Sequence, residues 1–150
     1  MDTNALPRDE QRLVLRLLHY WRELAGNCTM PDLDEIDGTA IADMWPCCFM
    51  LDYADPDGLS FRYVGQRHIA DLTFDPTGRS ITDVREDILL GRAACYGTQV
   101  LDQKVPITLG GKFFDGAGRT ILYRSILLPV SHGDSLALLG GANSRVIVLD

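Results

Sequence analysis

The stretch Trp45–Gly65, WPCCFMLDYADPDGLSFRYVG, decides the fold. It contains two apolar runs rich in aromatic and strand-forming residues, separated by the turn-forming residues 54–58. This pattern predicts a β-hairpin with strands near 46–53 and 59–65. Because a single hairpin cannot bury its own apolar face, the rest of the chain must supply further strands and a cover.

Length and charge restrict the classes of protein to consider. The 150 residues suit a single domain, 1–150, and the net charge is −7 with scattered Lys and Arg, which argues against nucleic-acid binding. No apolar run approaches the roughly 20 residues of a membrane helix, and the N-terminus is polar and acidic, so we expect a cytoplasmic protein. The four cysteines have no metal-binding spacing and suggest buried thiols in a reducing compartment.

The first element is predicted to be an amphipathic helix over about 7–25. Its broad apolar stripe covers the sheet or meets a second subunit, and the candidate dimer-interface residues are Leu13, Leu17, Tyr20 and Leu24. The spacing of Arg8, Arg12 and Arg16 also occurs in some cyclic-dinucleotide binders. A solvated helix face explains that spacing more simply.

After the hairpin, a second long helix is predicted from Asp83, at a capping-box position, to about Leu101. Three strands near 105–114, 119–130 and 135–142 then form an antiparallel meander. The apolar segment Val146–Leu149 is not placed by the pattern. Two strands, a helical insert and three strands predict an α+β fold with helices on one side of an antiparallel sheet.

An ordered set of short motifs resembles PAS domains, and more narrowly the small stand-alone PAS proteins of α-proteobacterial type. The matching segments are 20–24, Pro31, 49–52, 61–65, 77–79 and 128–131. Asp37-Gly38 and Thr73 depart from the family's usual loop residues. The resemblance implies a five-stranded sheet in the order 2-1-5-4-3, a core over about 30–143, and a sensory or regulatory role, often as a dimer through the N-terminal helix.

A PAS-type pocket would lie between the sheet and the second long helix. Strand alternation places Phe49 and Leu51 on one face, with Cys47, and places Phe61 and Tyr63 together on the next strand. Phe113, Ile121, Tyr123 and Leu138 are further wall candidates, and the helix offers Arg92, Cys95, Tyr96 and Gln99. Arg92 and Gln99 slightly favour a small ligand with a polar head; a filled core without a cavity has about even weight.

The cofactor is not assigned by the sequence. The long helix carries no histidine that could ligate haem, which leaves His68 as a weak candidate beside His19 and His132. Asn27-Cys28-Thr29 does not match the reactive-cysteine motif of flavin-binding relatives. Haem and flavin are therefore both disfavoured, and no metal site is expected.

Three functions remain open at this point. The leading one is a non-enzymatic PAS-type sensory module that binds a small ligand or a separate signalling protein. The second is a purely structural dimerisation domain. The third is a small α+β enzyme such as a thioester hydrolase, for which Asp52 is the best single carboxylate but no catalytic pair is evident.

Overall fold

Five antiparallel strands form one sheet in the order β2-β1-β5-β4-β3. The structure is a computed structural model that describes residues 9–148, with side chains from Arg12 onward. The strands are β1 (Cys48–Ala54), β2 (Gly58–Val64), β3 (Ile107–Phe114), β4 (Thr120–His132) and β5 (Ser135–Val146). The predicted hairpin, meander and strand order are therefore confirmed.

Four α-helices accompany the sheet: α1 (Asp9–Ala25), α2 (Gln66–Ile69), α3 (Leu89–Ala94) and α4 (Gly97–Gln103). Short 3₁₀ turns occupy Leu33–Glu35, Trp45–Cys47 and Ile81–Asp83. Pro7, Arg8 and Leu149, which entered the sequence predictions, lie outside the described residues.

Both faces of the sheet are buried, each in its own apolar cluster. Leu127 and Leu138 belong to the inner cluster, under α3 and α4. Their chain neighbours Leu128 and Leu139 belong to the outer cluster, under α1. The prediction that the helices gather on one side holds for α2, α3 and α4, whereas α1 covers the opposite face.

The apolar stripe of α1 packs on its own chain's sheet. Leu13 and Leu17 are 6% and 0% exposed, and the Trp21 indole N–H donates to Pro129 O at 2.7 Å. Leu13 and Leu17 therefore cannot form a dimer interface in this arrangement, which corrects that part of the prediction. Tyr20 is partly buried against the same cluster, and Leu24 is partly buried.

A β-bulge explains why strand alternation misplaced Tyr63. Met50 pairs with Tyr63 but Leu51 pairs with Phe61, so Arg62 is an extra residue on β2. The extra residue turns Tyr63 to the outer face, while Phe61 stays on the inner one. Arg62 then pairs across the strands with Asp52 at 3.3 Å.

Cys47 is misplaced for a related reason. It ends a 3₁₀ turn ahead of β1, where the two-residue alternation of a strand does not apply. Its side chain belongs to the outer cluster, whereas Phe49 and Leu51 belong to the inner one. The predicted grouping of Cys47 with the pocket residues is therefore wrong.

The predicted helix over 83–101 is two shorter helices, α3 and α4. The chain before α3 folds back so closely that a Cβ at Gly91 would overlap the carbonyl of Arg85. Residues 84–88 therefore cannot continue the α3 axis backwards. A second break at Cys95–Tyr96 precedes α4, which begins with Gly97 against the sheet.

The long β4–β5 pair reaches further than predicted. It runs from Ile121↔Val146 to His132↔Ser135, so Val146 ends β5, and Ile147 N donates to Thr120 O at 2.8 Å. Pro129 is tolerated inside β4 because the pairing with β3 stops at Leu127, and no donor is required on that side.

We expect Phe49→Ala to lower the free energy of unfolding by about 3–5 kcal/mol, because the ring is fully buried on the inner face. The matched control is Tyr53→Ala in the same strand, where the side chain is 41% exposed and the change should be much smaller. Urea denaturation monitored by circular dichroism measures both. Equal losses for the two variants would contradict the assigned register.

Candidate functional site

The predicted pocket wall comes together on the inner face of the sheet, but its side chains fill the space. Phe49, Leu51 and Phe61 are at most 1% exposed and lie in one cluster with Phe113 and Tyr123. The same cluster contains Ile121 and Leu138. The grouping of these residues is as predicted; whether they bind a ligand stays a prediction.

Gly97 shows how closely the helices sit on this face. A Cβ at Gly97 would lie 2.5 Å from Leu59 Cδ1 and 3.1 Å from Leu138 Cδ1. These separations are shorter than van der Waals contact, so the start of α4 rests directly on the sheet. This contact leaves no room between α4 and the sheet at Leu59 and Leu138.

Tyr96, the residue before α4, makes a partly buried polar contact with Ser125 of β4. The Tyr96 hydroxyl and Ser125 Oγ share a hydrogen bond of 2.8 Å. Burial raises the pKa of Tyr96 to about 12, although the bond to Ser125 acts in the opposite direction. Ser125 was missed in the sequence, yet alternation from Tyr123 to Leu127 places it inward and could have identified it.

The other helix candidates do not enter the interior. Arg92 lies over the Phe113 ring, with its guanidinium carbon 4.7 Å from the ring centroid, and its Nε–H donates to Glu86 O at 3.0 Å. Cys95 and Gln99 are exposed. The structure therefore separates Gln99 and Cys95 from the aromatic wall, and only Arg92 stays next to it.

An open groove remains at one end of the inner face. It has a volume of about 540 Å³ between the start of α3, the β3–β4 turn and the end of β5. Its principal lining residues are Asp71, Asp87, Phe113, Asp115, Arg119 and Ile121. Phe113 and Ile121 were predicted wall residues; the three carboxylates were not, because they lie in turns that strand alternation does not order.

Two of these carboxylates have defined partners. Asp115 accepts hydrogen bonds from the Arg119 backbone N–H at 2.9 Å and from Arg119 Nε at 2.8 Å. The backbone bond is the main cause that holds the pKa of Asp115 below its ordinary value. Asp87 Oδ2 accepts from Arg85 at 2.6 Å, and its Oδ1 is buried with no protein donor.

His68 is a structural histidine of α2 that contacts the 3₁₀ turn ahead of β1. It is 2% exposed, and its Nε2 lies 2.8 Å from Cys47 O. Because a carbonyl oxygen only accepts, Nε2 carries the proton and donates to it. Burial is the main cause that lowers the pKa of His68, so the neutral ring is favoured.

A family model described as "PAS domain" matches residues 10–142. The chain belongs to the PAS domain family. The sensory and regulatory class of function predicted from the sequence therefore stands. No curated protein matches the chain.

Several solved structures are similar to this PAS domain. A light-oxygen-voltage domain studied with a flavin analogue is 14% identical, with 71% of this chain and 82% of that chain covered and a TM-score of 0.51. A PAS domain of an HTR-like protein from Haloarcula marismortui is 21% identical over 93% and 98% of the two chains, with a TM-score of 0.41. The light-state dimer of the fungal photoreceptor Vivid is 12% identical over 95% and 99%, with a TM-score of 0.47.

Two further searches cover the described part of this PAS domain. Among the side chains of residues 12–148, no three or more His, Cys, Asp or Glu are arranged to bind a metal. None of the helices described there is long and apolar enough to cross a membrane.

We expect the free energy of unfolding to fall as the pH drops below about 6.5, the ordinary histidine value. The folded-state pKa of His68 is lower than that, so the unfolded chain binds the extra proton first and acidification favours unfolding. Urea denaturation is measured between about pH 7.5 and pH 5, a range that spans about 6.5. The free energy of unfolding should depend less steeply on pH in His68→Gln than in the wild type. An unchanged slope in His68→Gln contradicts the assignment.

Proposed function

We propose that this PAS domain is a non-enzymatic regulatory module that acts through protein contacts made by its outer surface. The observation that carries the proposal is the filled inner face, where Gly97 places α4 directly on Leu59 and Leu138. We infer from this close contact that the domain binds neither haem nor flavin. The signal that the module transmits must then be read from its exterior.

We propose a homodimer through the exposed side of α1 as the first such contact. Leu15 is 57% exposed on this side, and it also borders a groove that reaches Gly110 and Arg124 of the sheet. A second, shallow groove of about 350 Å³ is lined by Leu15, Arg16, His19, Tyr20, Glu23, Ile41 and Met44. An exposed large apolar residue next to a partly apolar groove is suited to a protein interface.

In a two-fold symmetric dimer, the contact between Leu15 and this groove would occur twice. With α1 antiparallel to its copy, Leu15 of each chain would enter the groove beside His19 and Tyr20 of the other. Arg12 would then approach Glu23 of the copy, a favourable pair of charges. Arg16 is held on the groove's rim by Asp43 at 2.6 Å. Of the four predicted interface residues, only Tyr20 lines this groove.

A second candidate function is the binding of a small ligand in the open groove of about 540 Å³. The observation that favours it is Asp87 Oδ1, a carboxylate oxygen buried without a donor. Such a group is costly to leave unpaired, and a ligand with an N–H group could supply the donor after a small movement of Asp87. Phe113 and Ile121 would contact the ligand's apolar part.

The proposal also covers catalytic activity and cellular location. We propose no reaction for the domain, because Asp52, the best single carboxylate of the sequence, pairs with Arg62 and no nucleophile lies near it in the contacts described. A reducing, cytoplasmic location is supported by four cysteines that are all unpaired.

We expect Leu15→Lys to weaken dimerisation by at least about tenfold, because the variant places a charge in an apolar contact. Val148→Lys is the matched control, since it removes another exposed apolar residue, 82% exposed, far along the chain. Light scattering across a dilution series measures both dissociation constants. A monomeric wild type, or equal effects of the two substitutions, would contradict the dimer.

Native mass spectrometry compares the two candidate functions. We expect the mass of a dimer of the polypeptide alone, with no retained small molecule, because the inner face is filled. Retention of a small molecule that is lost in Asp87→Asn but kept in Asp71→Asn would favour the ligand-binding function instead.

A further inference from the structure

Part of the outer face of the sheet is left uncovered by α1 and carries positive charge. The strand register aligns Lys112 on β3, Leu122 on β4 and Arg145 on β5 in one row across the sheet. The next row contains Gly110, Arg124 and Asn143. We call these two rows, together with Phe114, the basic patch.

The composition of the basic patch differs from that of the whole chain. None of its seven positions is acidic, although the chain has a net charge of −7. Leu122 is partly buried, and Phe114 is 69% exposed at the edge of the patch. The patch therefore combines cations with an apolar surface.

Among the described residues, Lys112 and Arg124 have no ion-pair partner, unlike five other arginines of the chain. Arg16, Arg62, Arg79, Arg85 and Arg119 each pair with an aspartate. No carboxylate among residues 12–148 forms an ion pair with Lys112 or Arg124. Their charges are available to an incoming group.

Gly110 holds Arg124 in place on the sheet. A Cβ at Gly110 would lie 2.7 Å from Arg124 Cδ and 3.1 Å from its Nε and one terminal nitrogen. The Arg124 side chain therefore lies flat over a strand position that has no side chain. This contact limits its freedom and directs the guanidinium across the patch, which lowers the entropy cost of binding a carboxylate.

We propose that the basic patch is the docking site for an acidic amphipathic segment of a separate signalling protein. Carboxylates would pair with Lys112 and Arg124, and apolar side chains between them would cover Leu122 and Phe114. A second copy in a two-fold arrangement would place like charges together, which disfavours self-association here. Two unpaired cations and Arg145 on an acidic protein are a small footprint for a nucleic acid or a membrane.

The probe is a fluorescein-labelled helical peptide of about 18 residues with leucines on one face and glutamates beside them. The comparison peptide has lysines in place of the glutamates. We expect the glutamate peptide to bind the full chain, to weaken as salt is raised, and to bind at least about tenfold less tightly to Arg124→Glu or Lys112→Glu. Arg67→Glu, the same charge change at an exposed site on α2, is the control and should change the affinity little.

The Gly110→Val variant tests whether peptide binding depends on the position of the Arg124 side chain as well as on the net charge of the patch. It leaves the charge unchanged but lifts Arg124 from the sheet, so we expect weaker binding of the glutamate peptide; circular dichroism confirms that the variant is folded. Equal binding of both peptides, or of neither, would overturn the proposal. Tighter binding to single-stranded DNA or to phosphatidylserine vesicles would overturn it as well.

The docking site rests on the proposed regulatory function. The experiments above nevertheless test the basic patch and the α1 dimer separately. Loss of the dimer in light scattering with peptide binding intact would remove the α1 interface and keep the basic patch. A stable dimer that does not bind the peptide would remove the basic patch as a docking site and keep the α1 interface.

Discussion

The need to bury both faces of a five-stranded sheet governs this structure. Adjacent residues such as Leu127 and Leu128, or Leu138 and Leu139, are all fully buried, yet they point to opposite sides of β4 and β5. A sheet with one solvated face would not carry such runs. The chain therefore needs two covers, and it provides α3 and α4 on the inner face and α1 on the outer one.

The two covers have different consequences for function. On the inner face, Gly97 allows α4 to touch Leu59 and Leu138, and the predicted pocket wall becomes packed core. On the outer face, α1 is one helix across a wider sheet, so it leaves the basic patch beside β3 open. A PAS domain that is closed inside and partly open outside is suited to exchange information through surfaces rather than through an enclosed ligand.

Sequence patterns predicted much of the fold because alternation and turn residues are local signals. The hairpin around Asp55-Pro56-Asp57-Gly58, the meander and, through the family resemblance, the strand order all agree with the structure. The errors arise where a turn, or a contact with a neighbouring segment, interrupts the regular periodicity. Tyr63 is turned by a bulge set by pairing with β1, and the 83–101 helix is broken where Arg85 packs on Gly91.

The candidate sites were harder to predict than the fold. The aromatic wall was found by periodicity, but periodicity cannot tell a lined cavity from a filled one, because that depends on how near α4 approaches. The charged features were missed for a second reason. Lys112, Arg124 and Arg145 are far apart in sequence and share a face only through the β3–β4–β5 register, so a chain that reads as uniformly acidic contains a local surface of opposite sign.

That contrast in sign also constrains how the two proposed contacts can coexist. The α1 surface carries both signs, with Arg16 and Glu23 near Leu15, so a copy of itself can match it under two-fold symmetry. The basic patch carries one sign and cannot be matched by itself. With both proposed contacts formed, the dimer would present two equivalent docking sites. One assembly would then hold two acidic segments at once, which would raise their effective concentration for each other.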